Sequence, residues 1–227
     1  MNKHVIEPIA YIQNDYKEKF GIPRQSGRAP SVISKIIFHP KYRIADALRE
    51  IETFSHLWLI FDFSEAHNDR DFTPLIRPPR LGGNKKVGVF ASRSPFRPNN
   101  LGLSVVKLVG VEKDQEFGNV LIVSGADLLD GTPIFDVKPY LPKTDSIPTA
   151  IGGYADEVSD YKVKVIIDDK LLENFPKDKL EGLIECLSDD PRPSYHDDGR
   201  IYGMTFADFN VKFKVEEKTL TVLKVEK

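Results

Sequence analysis

The chain has 227 residues, of which 41% are hydrophobic and 29% charged, with a formal charge of −2; this mix excludes a largely disordered chain and suits one large domain or a medium one with a small companion. It has no apolar run of about 18 residues to span a membrane. The opening residues lack the apolar stretch of a secretory signal, and the lone Cys186 has no partner for a disulfide within the chain, so a reducing, cytoplasmic setting is expected.

In chain order, Val5 to Ile12 is a β-rich opening run in which Pro8 marks an edge or a bulge. Residues 20–31 form a loop punctuated by Gly21, Pro23, Gly27 and Pro30. Ser34 to Phe38 is predicted as a strand. Ile44, Ala47, Leu48 and Ile51 fall at helical spacing, which predicts an amphipathic helix over Arg43 to Phe54. His56 to Phe63 reads as a buried strand with Trp58, Phe61 and Phe63 in the core. Residues 64–85 and 91–100 are further loops, separated by a strand over Lys86 to Phe90. Leu101 to Val111, Val120 to Ser124 and Ile134 to Val137 complete the strands of the first half.

Few helices and many strands predict a mainly β fold, a β-barrel. Long irregular loops between short strands are unusual in a compact domain unless they are functional or disordered. If loops 20–31, 64–85 and 91–100 gather at one end of the barrel, they form one site. Residues 142–157 read as a linker. Beyond it, alternation over Tyr161 to Ile167, a helix over Leu180 to Leu187 after Pro176, and two strands, Phe209 to Val215 and Leu220 to Val225, predict a small α+β domain. The expected division is 1–150 for the barrel and 157–227 for the second domain.

Charge is segregated. Residues 1–110 hold 17 Lys/Arg against 10 Asp/Glu, and residues 111–227 hold 15 against 24. A basic half can hold an anionic partner; a chance segregation of solvated charges explains the numbers equally well. Five histidines and one cysteine, scattered, give no zinc spacing.

The densest segment is Val87-Gly88-Val89-Phe90-Ala91-Ser92-Arg93-Ser94-Pro95-Phe96-Arg97-Pro98-Asn99-Asn100-Leu101-Gly102-Leu103-Ser104. Prolines stiffen the loop and lower the entropy lost on binding. Arg93 and Arg97 can fork onto phosphates or carboxylates. A second stretch, Asp127-Leu128-Leu129-Asp130-Gly131-Thr132-Pro133, centres on a tight-turn pair and on physics alone is equally well a plain hairpin turn.

The first segment closely resembles the signature of the YaeB-like (TsaA-like) tRNA methyltransferases. Ser92 stands where threonine is usual and Asn100 where proline is commoner, with some loss of stiffness expected. The second stretch, Pro23-Arg24-Gln25, His67-Asn68, and the C-terminal runs Asp190 to Tyr195 and Tyr202 to Phe209 are similar to the same family, so the likeness spans nearly the whole chain. It implies a β-barrel that binds S-adenosyl-L-methionine, a homodimer with the cofactor near the subunit interface, and N6-methylation of threonylcarbamoyl-adenosine beside the tRNA anticodon. In keeping with that, the sequence has no Gly-x-Gly-x-x-Gly opening a helix after a strand.

Carried over by the resemblance, the expected cofactor contacts are Pro23, Arg24, Gln25, His67, Asn68, Arg93, Leu103, Asp127, Leu129, Asp130, Gly131 and Thr132. Asp130 is the carboxylate expected to accept a hydrogen bond from the cofactor; no general base is assigned. Expected contacts to the tRNA anticodon loop are Arg97, Phe96, Arg28, Lys85 and Lys86, with Lys35, Lys41, Arg43, Arg77 and Arg80 as further candidates. Phe96 is equally well read as packing under its loop. Cys186, His39 and His196 carry no expected role. The rival readings are a non-catalytic RNA-binding module and, with less support, a hydrolase built on Asp127, Asp130 and His67.

Overall fold

The computed structural model of the chain describes residues 4–67, 72–78, 85–158, 161–193 and 198–227. In chain order the elements are β1 (Ala10–Gln13), β2 (Ile33–Phe38), β3 (His56–Asp62), β4 (Leu75–Ile76), β5 (Val87–Gly88), β6 (Leu101–Asp114), β7 (Gly118–Ser124), β8 (Pro133–Pro139), the short α1 (Pro142–Asp145), β9 (Lys164–Ile166), α2 (Leu180–Ser188), β10 (Ile201–Phe206), β11 (Phe209–Glu216) and β12 (Thr219–Glu226). The chain is mainly β, as expected.

Six strands close on themselves in the order β1-β2-β7-β6-β3-β8, every pairing antiparallel. Side chains alternate across a strand. In β3 this sends Leu57, Leu59 and Phe61 inward among Ile12, Ile36, Val106, Leu121 and Ile134. The same alternation corrects one expectation. Trp58 points outward, half-buried, and its indole N–H donates to Asp145 of α1 at 2.9 Å. Phe61 faces Gly102 across the β3–β6 ladder. A Cβ at position 102 would lie 2.3 Å from the Phe61 ring, so only glycine fits opposite that side chain.

Register places the loops. Asp62 pairs with Leu101, Phe61 with Ile134, Tyr11 with Pro133 and Ile33 with Ser124. Connections 14–32, 63–100 and 125–132 therefore all leave from one rim. The opposite rim is plugged from outside by Tyr42, Leu48 and Ile51. The helix expected over Arg43 to Phe54 is absent. Two 3₁₀ turns, Ala45–Leu48 and Ile51–Thr53, replace it, because Arg49 is extended (ψ 132°) and Glu50 sits in the left-handed region at φ 66°. The apolar spacing was real, but it serves a broken cap rather than a continuous helix.

Three strands are shorter than expected. Pairing of β1 starts at Ala10; Pro8 has no N–H to offer, and Val5 is 89% exposed. After Val87–Gly88 the chain turns over Val89–Ala91, burying Val89 and exposing Phe90. The Tyr161 to Ile167 alternation yields only Lys164–Ile166, paired in parallel with the edge of β12.

The second sheet runs β10-β11-β12-β9 and is covered by α2. Sequence reasoning missed β10, although Tyr202, Met204 and Phe206 alternate inward along it. It joins β11 through Ala207 and Asp208, both at positive φ, as a two-residue hairpin needs. The core under this sheet is not self-contained: Tyr16, Ala29 and Val32 from connection 14–32 are buried in it beside Leu183, Cys186 and Phe206. Cys186 is 1% exposed, and burial pushes its thiol up to about 12. It is a packed small hydrophobe, as expected.

Candidate functional site

The first connection, 14–32, is pinned from two sides. From the barrel, Gly27 N–H donates to Gly125 O at 2.8 Å, Gly125 N–H donates to Val32 O at 3.1 Å, and Ser124 Oγ–H donates to Pro30 O. Gly27 and Gly125 sit at φ 77° and 74°, and a Cβ on Gly125 would lie 3.1 Å from Gly27 Cα. Two glycines are what let these backbones touch. From the second sheet's helix, Glu185 accepts from Ser31 N–H and Oγ–H at 2.8 and 3.0 Å, and Asp189 accepts from Arg24 N–H and from the Arg28 guanidinium.

The loop 91–100 is held by its own polar side chains. Ser92 Oγ–H donates to Val89 O at 2.8 Å, Arg97 Nη1–H donates to Ser92 O at 2.7 Å, and Asn100 Nδ2–H donates to Pro95 O at 2.7 Å. Asn100 has φ 48°, a conformation closed to proline and tolerated by asparagine. The expected loss of stiffness at this position is offset by that side-chain bond.

The three connections meet. Arg93 Nη1–H donates to Gln25 Oε1 at 2.6 Å, and Ser104 Oγ–H donates to Asp127 Oδ1 at 2.6 Å. Burial raises the Asp127 carboxyl above the ordinary aspartate range; Ser104, the Ser26 N–H and the Arg93 charge oppose that shift. A half-buried carboxylate whose ionisation is resisted by its surroundings is characteristic of functional sites.

Beside this junction lies a cleft of about 1410 Å³. Arg24, Gln25 and Arg28 form one wall, residues 90–98 another. Arg77, Phe72 and the linker residues Gly152, Tyr154 and Ala155 contribute further lining. Tyr154 O–H donates to Ala91 O at 3.0 Å, fastening the linker to the signature loop. Among the described residues lining the cleft are five arginines and one carboxylate, Asp189. That imbalance suits an anionic ligand. Phe72 and Phe90 stack at 6.2 Å and are 57% and 72% exposed, presenting an aromatic face at the cleft that sequence reasoning did not single out.

The expected site residues divide. Arg24, Gln25, Arg28, Arg93, Phe96 and Arg97 line the cleft together, and Asp127 adjoins them through Ser26 and Arg93. Phe96 is 59% exposed rather than packed beneath its loop. Pro23 and Thr132 are buried, and Gly131 N–H donates to Ile12 O. Both Asp130 oxygens have protein partners, Asn14 N–H and the Lys17 ammonium, each at 2.8 Å. His67 Nε2 is 2.6 Å from Asp62 Oδ1 at the end of β3. Leu103 projects from the outer face of the barrel, 54% exposed, and Lys85 and Lys86 are exposed outside the cleft lining. Lys41 pairs with Glu7, Lys35 with Asp114, and Arg43 caps Phe38 O at the opposite rim. Asn68, Arg80 and His196 lie outside the described residues. Among the described residues, no group of three or more His, Cys, Asp and Glu is arranged to hold a metal ion.

Known proteins resemble this chain in sequence and in fold. The model of the tRNA-methyltransferase O N-terminal domain matches residues 11–146, and that of the TrmO C-terminal domain matches residues 162–227. A protein of Escherichia coli strain K12 named tRNA (adenine(37)-N6)-methyltransferase is 39% identical over 238 residues, covering 100% of this chain and 99% of its own. A protein of Pseudomonas aeruginosa named putative S-adenosylmethionine-dependent methyltransferase RcsF is 39% identical over 218 residues, covering 92% and 91%. The crystal structure of TrmO from P. aeruginosa superposes with a TM-score of 0.79 at 33% identity, covering 99% of this chain and 97% of that one. The chain therefore belongs to the tRNA-methyltransferase O family, the family to which its Arg93–Arg97 signature pointed.

Proposed function

We propose that this protein transfers a methyl group from S-adenosyl-L-methionine to N6 of threonylcarbamoyl-adenosine beside the anticodon of tRNA. The observation that carries the reading is the meeting of loops 23–28 and 91–100 at one arginine-lined cleft, with Asp127 adjoining through Ser26 and Arg93. The names of the full-length relatives support it.

The residues present fit both ligands. Arg24 and Arg93 offer charged donors to the carboxylate of a bound amino acid, and Asp127 offers a shielded acceptor for an ammonium or hydroxyl. The donor supplies a methyl group already activated by its positive sulfur. The chain's own task is then to hold the reacting groups in line and keep water out, which a stiff, cross-bonded loop does. Arg28 and Arg77 are placed to meet RNA phosphates, and the Phe72–Phe90 face to stack an unpaired base.

Leu103 is exposed on the outer barrel face between Leu101 and Val105, opposite Ile60. For Leu103 to touch the donor, a second copy must cover that apolar row; we therefore include a homodimer in the proposal, with 1–150 as the barrel domain that holds the donor and 157–227 as the smaller one. Light scattering that gives a monomer at working concentration overturns the dimer.

The activity is tested with radiolabelled donor and tRNA from cells with and without the threonylcarbamoyl modification. Label in the modified tRNA alone supports the reading. RNA binding with no donor binding and no label would instead identify a non-catalytic RNA-binding module.

A further inference from the structure

We propose that Asp189, in the C-terminal half of the chain, is a positioning residue for the donor site: it acts through Arg24 and Arg28 to hold Gln25 against Arg93. This rests on the reading above and assigns the C-terminal domain a part in the reaction.

Asp189 follows α2 directly, and its side chain is 4% exposed. One oxygen meets the Arg28 guanidinium; the other accepts Arg24 N–H at 3.4 Å. Arg24 Nη2–H reaches on to Arg192 O at 3.0 Å, and Arg28 Nη2–H to Tyr161 O at 3.2 Å. Arg192 is itself fastened. Burial pulls its basicity down, but Asp198 and Asp190 more than offset that and hold it charged. A carboxylate and two backbone carbonyls, all from beyond residue 160, thus hold Arg24 and Arg28, the two residues that flank Gln25, Ser26 and Gly27.

What they fix is the segment that meets the signature loop. Gln25 Nε2–H donates to Arg24 O at 2.7 Å, which orients its Oε1 onto Arg93 at 2.6 Å. Ser26 N–H, one residue on, donates to Asp127. Connection 14–32 has no strand or helix of its own between β1 and β2, so its shape comes from these tertiary bonds. Displacing Arg24 by even 1 Å moves both contacts, and misplacement on that scale suffices to cost a site much of its affinity.

The test is a double-mutant cycle on the full-length protein. Calorimetry with S-adenosylmethionine alone, without RNA, is run on wild type, Asp189→Asn, Gln25→Ala and the pair. We expect each single change to weaken donor binding about 10-fold and the pair to do no worse than about 10-fold, because the two act on one contact. In turnover with tRNA, Asp189→Asn raises KM for the donor more than KM for tRNA. Effects that multiply in the pair, or wild-type donor affinity in Asp189→Asn, overturn the proposal. Where Asp189→Asn does not fold, Asp189→Glu keeps the charge opposite Arg28 but shifts the carboxylate by one methylene. It should melt as wild type does yet bind donor several-fold more weakly; wild-type affinity there overturns the proposal as well. Wild-type protein that binds no donor sinks the functional reading itself, a separate result from a silent Asp189 variant.

Discussion

Ser104 Oγ–H donates a 2.6 Å hydrogen bond to Asp127 Oδ1, tying the fourth residue of β6 to the turn that follows β7. Ser104 ends the signature run, and Asp127 begins the second stretch that resembles the family. The bond therefore joins, in space, two segments separated by 23 positions, in a pocket where burial resists the carboxylate's charge.

That burial makes Asp127 a cost to the fold at neutral pH. Its folded-state pKa is raised, so the protonated form stabilises the native state below the unfolded aspartate value of about 4. That contribution is lost as pH rises through the folded value. Asp127→Asn should therefore raise the melting temperature at pH 7 by about 2–4 °C, corresponding to about 1 kcal/mol for a chain of this size. The advantage should vanish near pH 3, and donor affinity should fall. A calorimetric scan at several pH values checks this; a lower melting temperature at pH 7 would contradict it.

Arg93 and Arg77 should separate by phenotype. Arg93→Ala should weaken binding of the methyl donor about 10-fold or more in the absence of RNA, since it removes a charge-assisted contact of about 1.5–3 kcal/mol. Arg77→Ala should leave that affinity intact and reduce the slope of log K against log salt for tRNA binding by about 0.7–0.9. Titrations at four salt concentrations distinguish the two.

Phe90→Ala and Phe72→Ala should each weaken tRNA binding by about 1–3 kcal/mol, the range for a base stacked on an aromatic ring, with little effect on stability because both rings are exposed. Fluorescence titration with an anticodon stem-loop measures it. Unchanged affinity would remove this pair from the RNA surface.

Gly125→Ala should destabilise the protein by about 1–3 kcal/mol. It combines a left-handed φ of 74° with a Cβ 3.1 Å from the backbone of Gly27, and neither neighbour is a flexible side chain that could yield. Denaturant unfolding reads the loss; a variant as stable as wild type would mean that loop 23–28 relaxes freely.

In the native protein Cys186 should be inert to thiol reagents. It is buried against Tyr16, whose own hydroxyl is raised by burial, and its thiol stays protonated to about pH 12. Labelling should appear only at denaturant concentrations that unfold the chain.

Local chemistry carried much of this architecture. Apolar and β-rich runs marked β2, β3, β6, β7 and β12, alternation marked β9 and β11, and apolar spacing after Pro176 marked α2, because those signals depend only on how an element meets a core. The Arg93–Arg97 run and Pro23-Arg24-Gln25 were legible by resemblance, as stiff polar loops keep their residue types where a site needs them. Tertiary structure decided the remainder. Antiparallel register brought three connections to one rim, a matter of pairings between residues as far apart as Tyr11 and Pro133. It also turned Trp58 outward, broke the expected helix at Glu50, and engaged Asp130 with Lys17 and Asn14. The hold of Asp189 on Arg24 and Arg28 spans more than 160 positions, and no period in a sequence reports such a contact, because it arises only when two separately patterned cores are packed together.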